Sequence, residues 1–415
     1  MITKIEVKGY RCLRYVNRSL DPFMVLIGPN ASGKTTFLDV LGFVGDVVSQ
    51  GLGNAIEKRT TDYNDLTWNK KGADIEIAVE AEIPQTMRKL YDRPIELFRY
   101  ELRIGYEGPA HEVGIIAENA WLIEKPKKRA LVEPVELFPL DKIPPETILT
   151  KYTKVKKRVL SKSATGNDTF YSETTKGWVP SFKLGPKRSA LGNLPEDESR
   201  FPAATWFKRL LMDGVQKIML NSMKLRNPSP AIKSLGFAPD GSNLPWIVHR
   251  LEANENSERY GWWLSHIQTA LPEVEAIRTA QREEDRSRYI LIKYKGGLEV
   301  PSWLASDGTL RLLALTVPAF VPDFSGICLI EEPENGIHPR AVETIYQSLS
   351  SVYGAQFLVA THSPTVLGMA DPNKVLCFKK SESGATDIVR GDEHPALRSW
   401  KGMVSLSEFY AGGVL

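Results

Sequence analysis

The stretch GPNASGKT, residues 28–35, leaves a chain little choice of architecture. It fits GxxxxGK[ST] in full, follows the apolar run FMVLIG, and opens a segment with Phe37, Leu38, Leu41 and Val44 on one helical face. That order predicts a buried strand, a phosphate-binding loop and a helix over Lys34 to about Val48. Gly28 and Gly33 let the backbone curl so that N–H groups of the loop, which runs between them through Pro29, Asn30, Ala31 and Ser32, surround an anion. The helix dipole favours the same anion, Lys34 reaches toward the outer phosphates, and Thr35, beside Thr36, offers a hydroxyl to Mg²⁺.

A second stretch, ICLIEEPENGIHP at 327–339, runs a buried-looking strand straight into Glu331 and Glu332. Burying carboxylates is costly without a compensating charge. Once a phosphate loop is present, both acids have work: one for the metal, Glu331, and one for the attacking water, Glu332. Upstream, LASDGTLRLLAL (304–315) puts Ser306 and Gly308 at a predicted helix mouth, another anion-receiving end. Downstream, FLVATHSP puts Thr361 and His362 at a strand end, where the histidine is either a γ-phosphate contact or an ordinary strand-end residue.

The rest of the chain bounds the class. Hydrophobic residues make up 42% and charged residues 25% of 415, enough for a sizeable core, and the net charge of +3 argues against a protein that coats nucleic acid over its whole surface. Three cysteines without CxxC spacing fit a reducing cytoplasm. No apolar run approaches about 18 residues, so no membrane segment is expected. Alternation over Asp74 to about Ile123 predicts an antiparallel sheet with one wet face. Residues 125–200 are rich in Pro, Lys and Ser, and helical periodicity returns at 206–219 and 243–254. Strands near 274–300 precede a closing rhythm of helix 309–320, strand 327–330, helix 339–352 and strands 356–361 and 374–378.

Together the phosphate loop, SDGT (306–309), CLIEE (328–332), PENGIHP (333–339) and THS (361–363) resemble the ATP-binding-cassette ATPases, within them the soluble heads related to the OLD, RecF and SMC groups. PDGSNLP (239–245) and GYR (9–11) are similar to the same group, while residues 110–200 are covered weakly. The resemblance implies an α/β P-loop NTPase fold with a two-lobed head: a mixed central sheet, an antiparallel β subdomain and an inserted helical lobe. Expected divisions are 1–110 for the first part of the ATPase lobe, 111–235 for a partly basic insertion with helices, 236–325 for the signature lobe and 326–415 for the closing part of the ATPase lobe.

It also implies ATP and Mg²⁺ as ligands, and a homodimer or higher even-numbered oligomer that sandwiches ATP. Ser306 and Gly308 of one subunit would close on nucleotide held by Lys34 of the other, with Glu332 as general base, His362 as γ-phosphate sensor, and Asn335–Ile337 linking the two sites. Tyr10 or Arg11 would pack on the adenine, unless Tyr10 is simply an edge-strand aromatic. Glu331 stands where the wider class has aspartate, and the usual Q-loop glutamine is either Gln50 or Gln85.

Only about fifty residues follow His362, fewer than a domain of typical size needs. The chain therefore looks like a stand-alone cytoplasmic ATPase working beside a separately encoded nuclease or Toprim-like partner, as in phage defence. The alternative is a RecF-like clamp on DNA. For that reading KYTKVKKRVLSK (151–162) would contact phosphates, unless it is a solvated charge run, and Trp262 and Trp263 would stack on bases, unless they pack a helix. A nucleotide-dependent scaffold without turnover is the third possibility.

Overall fold

The computed structural model describes residues 1–108, 111–124, 137–151, 153, 155–175, 179–231, 236–253 and 257–397. They form two compact units, one built from Met1–Asp21, Leu26–Val215 and the segment from Val375, the other from Pro22–Val25 and Gln216–Lys374.

The first unit opens with the hairpin β1 (Ile2–Tyr10) and β2 (Leu13–Ser19), turned by Arg11 at φ 48°. The fully buried β3 (Phe23–Ile27) leads into α1 (Lys34–Gln50), which buries Phe37, Leu38, Leu41 and Val44 as the periodicity requires. Then follow α2 (Leu52–Glu57), β4 (Ile75–Glu82), α3 (Gln85–Arg88), β5 (Ile95–Glu107), β6 (Glu112–Glu124), β7 (Lys156–Ser163), β8 (Asp168–Phe170), β9 (Ser181–Phe182) and α4 (Pro202–Arg209). The strands make one eight-stranded sheet in the order β2-β1-β4-β5-β6-β7-β8-β9, antiparallel throughout. The division expected at 110 therefore falls within the β5–β6 hairpin.

The expected wet face is also corrected. Glu76, Glu101 and Glu118 are fully buried, because the connections after β6 and β9 cover them. Arg99 bridges Glu6, Glu80 and Glu101 at 3.0, 2.8 and 2.6 Å. The three buried glutamates also take backbone N–H groups: Glu76 from Ile148, Glu101 from Thr150, and Glu118 from Ala190 and Leu191, at 2.7–2.9 Å. Glu76 and Glu101 lie beside the cations of Lys8, Arg103 and Arg99. Glu118 is instead held by hydrogen bonds from Tyr100, Ser189, Ala190 and Leu191, and burial pushes its carboxyl up.

Residues 206–219 hold a second surprise. The helix expected there stops at Arg209, Leu210–Gly214 forms one π-helical turn, and β10 (Val215–Ile218) follows. Gly214 ends the π-helical turn, the β-branched Val215 and Ile218 suit a strand, and pairing in a sheet overrides the apparent helical period.

The second unit continues with α5 (Ser222–Arg226), α6 (Leu244–Glu252), α7 (Ser257–Ala270), the antiparallel β11 (Val274–Gln281), β12 (Arg288–Tyr294) and β13 (Glu299–Pro301), and α8 (Asp307–Thr316). Next come β14 (Gly326–Glu331), α9 (Pro339–Ser350), β15 (Ala355–Ala360) and α10 (Pro364–Met369). β10 lies beside β14, and β14 runs parallel to β15 with Ile330 opposite Val359. Back in the first unit, β16 (Val375–Lys380) pairs with β17 (Thr386–Arg390), a strand with no counterpart in the expected order. No helix among the described residues is long and apolar enough to cross a membrane.

Candidate functional site

In the first unit, residues 28–35 form a tight nest. Gly28, Ala31 and Gly33 all take positive φ, at 148°, 60° and 105°. At Gly28 a Cβ would lie 2.2 Å from the Phe378 carbonyl oxygen, and at Gly33 one would lie 2.4 Å from Thr386 Oγ1. Only glycine permits this approach to β16 and β17. Thr386 donates to the Ser32 carbonyl at 2.8 Å, pinning the loop from behind. Lys34 is buried and folds its Nζ inside, donating to the Gly28 and Pro29 carbonyls at 2.7 and 3.0 Å. Pro29, Asn30, Ala31 and Thr35 face outward, with Thr36 half-buried. The first turn of α1 has no side-chain cap, and the buried Ser32 Oγ has no hydrogen-bond partner among the described residues. A helix start without a side-chain cap, an orphan hydroxyl and an enclosed ammonium suit a phosphate anion.

Behind the loop, Asp39 on α1 accepts from Tyr10 at 2.6 Å and from Arg59 at 2.7–2.9 Å. Burial alone would raise the Asp39 carboxyl, but the Arg59 hydrogen bonds, that guanidinium's charge and the Tyr10 hydroxyl outweigh it and hold it below the usual carboxylate range. Tyr10 is fully buried and stacks on Phe43 at 5.3 Å, so of the two residues considered for adenine it belongs to the core. Arg11 stays partly exposed, its guanidinium 5.6 Å from the Tyr10 ring centre and 3.7 Å from Asp39 Oδ2.

In the second unit, β14 delivers the two glutamates to different surroundings. Glu331 is paired with Lys217 of β10 at 2.7 Å. Glu332 turns to φ 48°, donates its N–H to the Ala360 carbonyl at 2.7 Å, and points its exposed carboxylate at Asn335, whose side-chain amide donates to it at 2.5 Å. Glu334, which the sequence reading passed over, accepts from Thr361 Oγ1 at 2.7 Å and from the His362 N–H at 2.9 Å, while its other oxygen is buried without a hydrogen-bond partner. It thus clamps the 333–338 loop to the end of β15. Its place inside PENGIHP was the available signal.

At the mouth of α8, Ser306 caps the helix by accepting the Thr309 N–H at 3.1 Å. A Cβ on Gly308 would meet the Gly336 carbonyl oxygen at 2.7 Å, so the helix mouth and the loop pack backbone to backbone. One chain of contacts therefore runs from Gly308 through Gly336, Asn335 and Glu332 to Glu334, Thr361 and His362. The carboxylates supply oxygen donors of the kind Mg²⁺ takes, and Thr35 in the first unit exposes a hydroxyl of the same kind.

Residues 23–368 match the family model described as "AAA domain, putative AbiEii toxin, Type IV TA system". The chain belongs to this AAA-domain family. A stretch of 48 residues is 42% identical to an OLD nuclease of Thermus scotoductus, covering 11% of this chain and 9% of that protein. Among solved structures the AAA-domain protein is similar to an SMC head bound to the C-winged helix domain of ScpA, with TM-score 0.52 and 15% identity over 94% of this chain and 97% of the other. It is also similar to an SMC head with an extended coiled coil bound to the C-terminal domain of ScpA from Pyrococcus furiosus (TM-score 0.50, 14% identity, 94% and 95% covered). The fold is that of an SMC head.

The other sequence candidates of this AAA-domain protein fall away from these constellations. In the basic run at 151–162, Lys162 is buried on Asp168 at 2.8 Å, Lys157 donates to the Glu173 carbonyl at 2.6 Å and Arg158 covers the Trp121 ring at 4.7 Å. Tyr152 and Lys154 of that run lie outside the described residues, as do KPKKRA and the tail from Arg398. Trp263 is core, donating to Thr316, whereas Trp262 is exposed. Gln50 closes α1 and Gln85 opens α3, both exposed.

Proposed function

We propose that the protein hydrolyses ATP as a head-to-tail dimer and gates a separately encoded effector, a nuclease in antiviral defence. The observation that carries the ATPase part is the 331–335 segment, where an exposed Glu332 carboxylate is fixed by its own N–H to Ala360 and by Asn335. In this reading Lys34 and the backbone N–H groups of Asn30–Thr36 hold the phosphates, and Arg11 lies by the base. Mg²⁺, when bound by Thr35 and Glu331, would offset charge on the outer phosphates. Glu332 takes the proton of the attacking water, and His362, set by Glu334, donates toward the γ-phosphate. Ser306 and Gly308 offer the α8 N-terminus to nucleotide held by a second copy.

The effector part draws support from the family description and the short likeness to an OLD nuclease. A DNA clamp draws less, since Lys157, Arg158 and Lys162 are engaged within the chain. The test is affinity purification of tagged Glu332→Gln with ATP, followed by mass spectrometry and sizing of the bound fraction. An ATP-loaded dimer with a stoichiometric small nuclease is the expected result. Nucleic acid without a protein partner would replace the effector reading by the clamp. Undiminished turnover by Glu332→Gln would remove that residue from the base role.

A further inference from the structure

Lys217 and Glu331 sit on neighbouring strands, β10 and β14. The lysine Nζ lies 2.7 Å from Glu331 Oε1, an oxygen almost wholly withdrawn from solvent, although the lysine side chain itself is 45% exposed. A withdrawn carboxylate oxygen needs a positive partner, and the chain supplies one of its own. The partner is of a kind that can leave, a strongly hydrated point charge on a flexible stem with open solvent beside it. A divalent ion on the same oxygen would stand within a few ångströms of the ammonium, and like charges at that range repel strongly where water is partly excluded. The two cations therefore compete for Glu331 Oε1. The juxtaposition depends on 215–218 being a strand, so a helical reading of 206–219 hides it.

We propose that Lys217 is a resident stand-in for the metal: it keeps the Glu331 carboxylate in place before nucleotide arrives and yields it on loading, so that it sets the Mg²⁺ concentration at which the site fills. This rests on the reading of Glu331 as the metal carboxylate. Lys217 is then a positioning residue, acting through Glu331.

The experiment is a Mg²⁺ titration of the binding of a fluorescent, non-hydrolysable ATP analogue to the full chain, with thermal melts run beside it. Lys217→Met should lower the half-saturating Mg²⁺ by about threefold or more, as expected when a competing charge is removed. It should also lower the melting temperature without Mg²⁺ and enlarge the rise that Mg²⁺ produces. Lys217→Arg, which keeps the charge, should need nearly as much Mg²⁺ as the parent. Lys217→Gln gives the same readout as Lys217→Met if the latter does not fold. An unchanged or higher Mg²⁺ requirement in the folded, uncharged variant overturns the proposal. Glu331→Gln separates the two layers. If it leaves the Mg²⁺ requirement unaltered, the metal assignment itself falls; if it raises that requirement while Lys217→Met does nothing, only the stand-in role falls.

Discussion

Lys34 donates inward to two carbonyls of its own loop, so its ammonium is already aimed when phosphate arrives. Lys34→Ala should abolish binding of fluorescent ATP in equilibrium titration while leaving the melting temperature close to that of the parent. Gly28→Ala should fail differently. Its Cβ would lie 2.2 Å from the Phe378 carbonyl oxygen at φ 148°, which costs at least about 2 kcal/mol and should show as a lower denaturation midpoint as well as lost binding. The glycines, Lys34 and Glu332 were readable because a local motif carries each of them. Glu334 was not. Its partners, Thr361 and the His362 N–H, come from another strand, and no spacing along the chain announces them.

Secondary elements are held by a few specific ties. α1 is anchored to β1 and to the segment after α2 through Asp39, Tyr10 and Arg59. Because the Asp39 carboxyl is held below its usual range, its stabilising contribution is present above the unfolded value of about 3.9 and is lost as pH falls through the folded value. Asp39→Asn should therefore cost about 2 kcal/mol at pH 7. In urea melts the gap between parent and variant should close as pH drops below about 4. Gly308→Ala tests the packing of α8 on Gly336: hydrolysis should fall while nucleotide binding to the isolated chain, measured by titration, survives. The positions of most helices and strands follow from apolar period, but Val215–Ile218 do not. Four residues are too few to display a period, and only their neighbour β14 makes them a strand.

Across the whole molecule, sequence pattern located the α/β rhythm and the antiparallel region but misjudged where polar residues end up. A charged residue alternating with apolar ones reads as solvent-facing until another segment covers it, and here residues 147–150 and 189–191 do so. The same error hid Lys162, which sits 5% exposed against Asp168 in the interior of its unit. Lys162→Met should leave Asp168 buried with the Leu184 N–H still bound to it, at a cost of about 3–5 kcal/mol in the denaturation midpoint. The carboxylates of β4, β5 and β6 grip main-chain N–H groups, which every amino acid but proline possesses. Thr150, Ala190 and Leu191 are in this respect held by a feature their side chains do not supply. Such a fastening tolerates spelling changes at Ile148, Thr150, Ala190 and Leu191, proline apart, whereas Thr147 and Ser189 reach Glu76 and Glu118 through their hydroxyls and are less free to change.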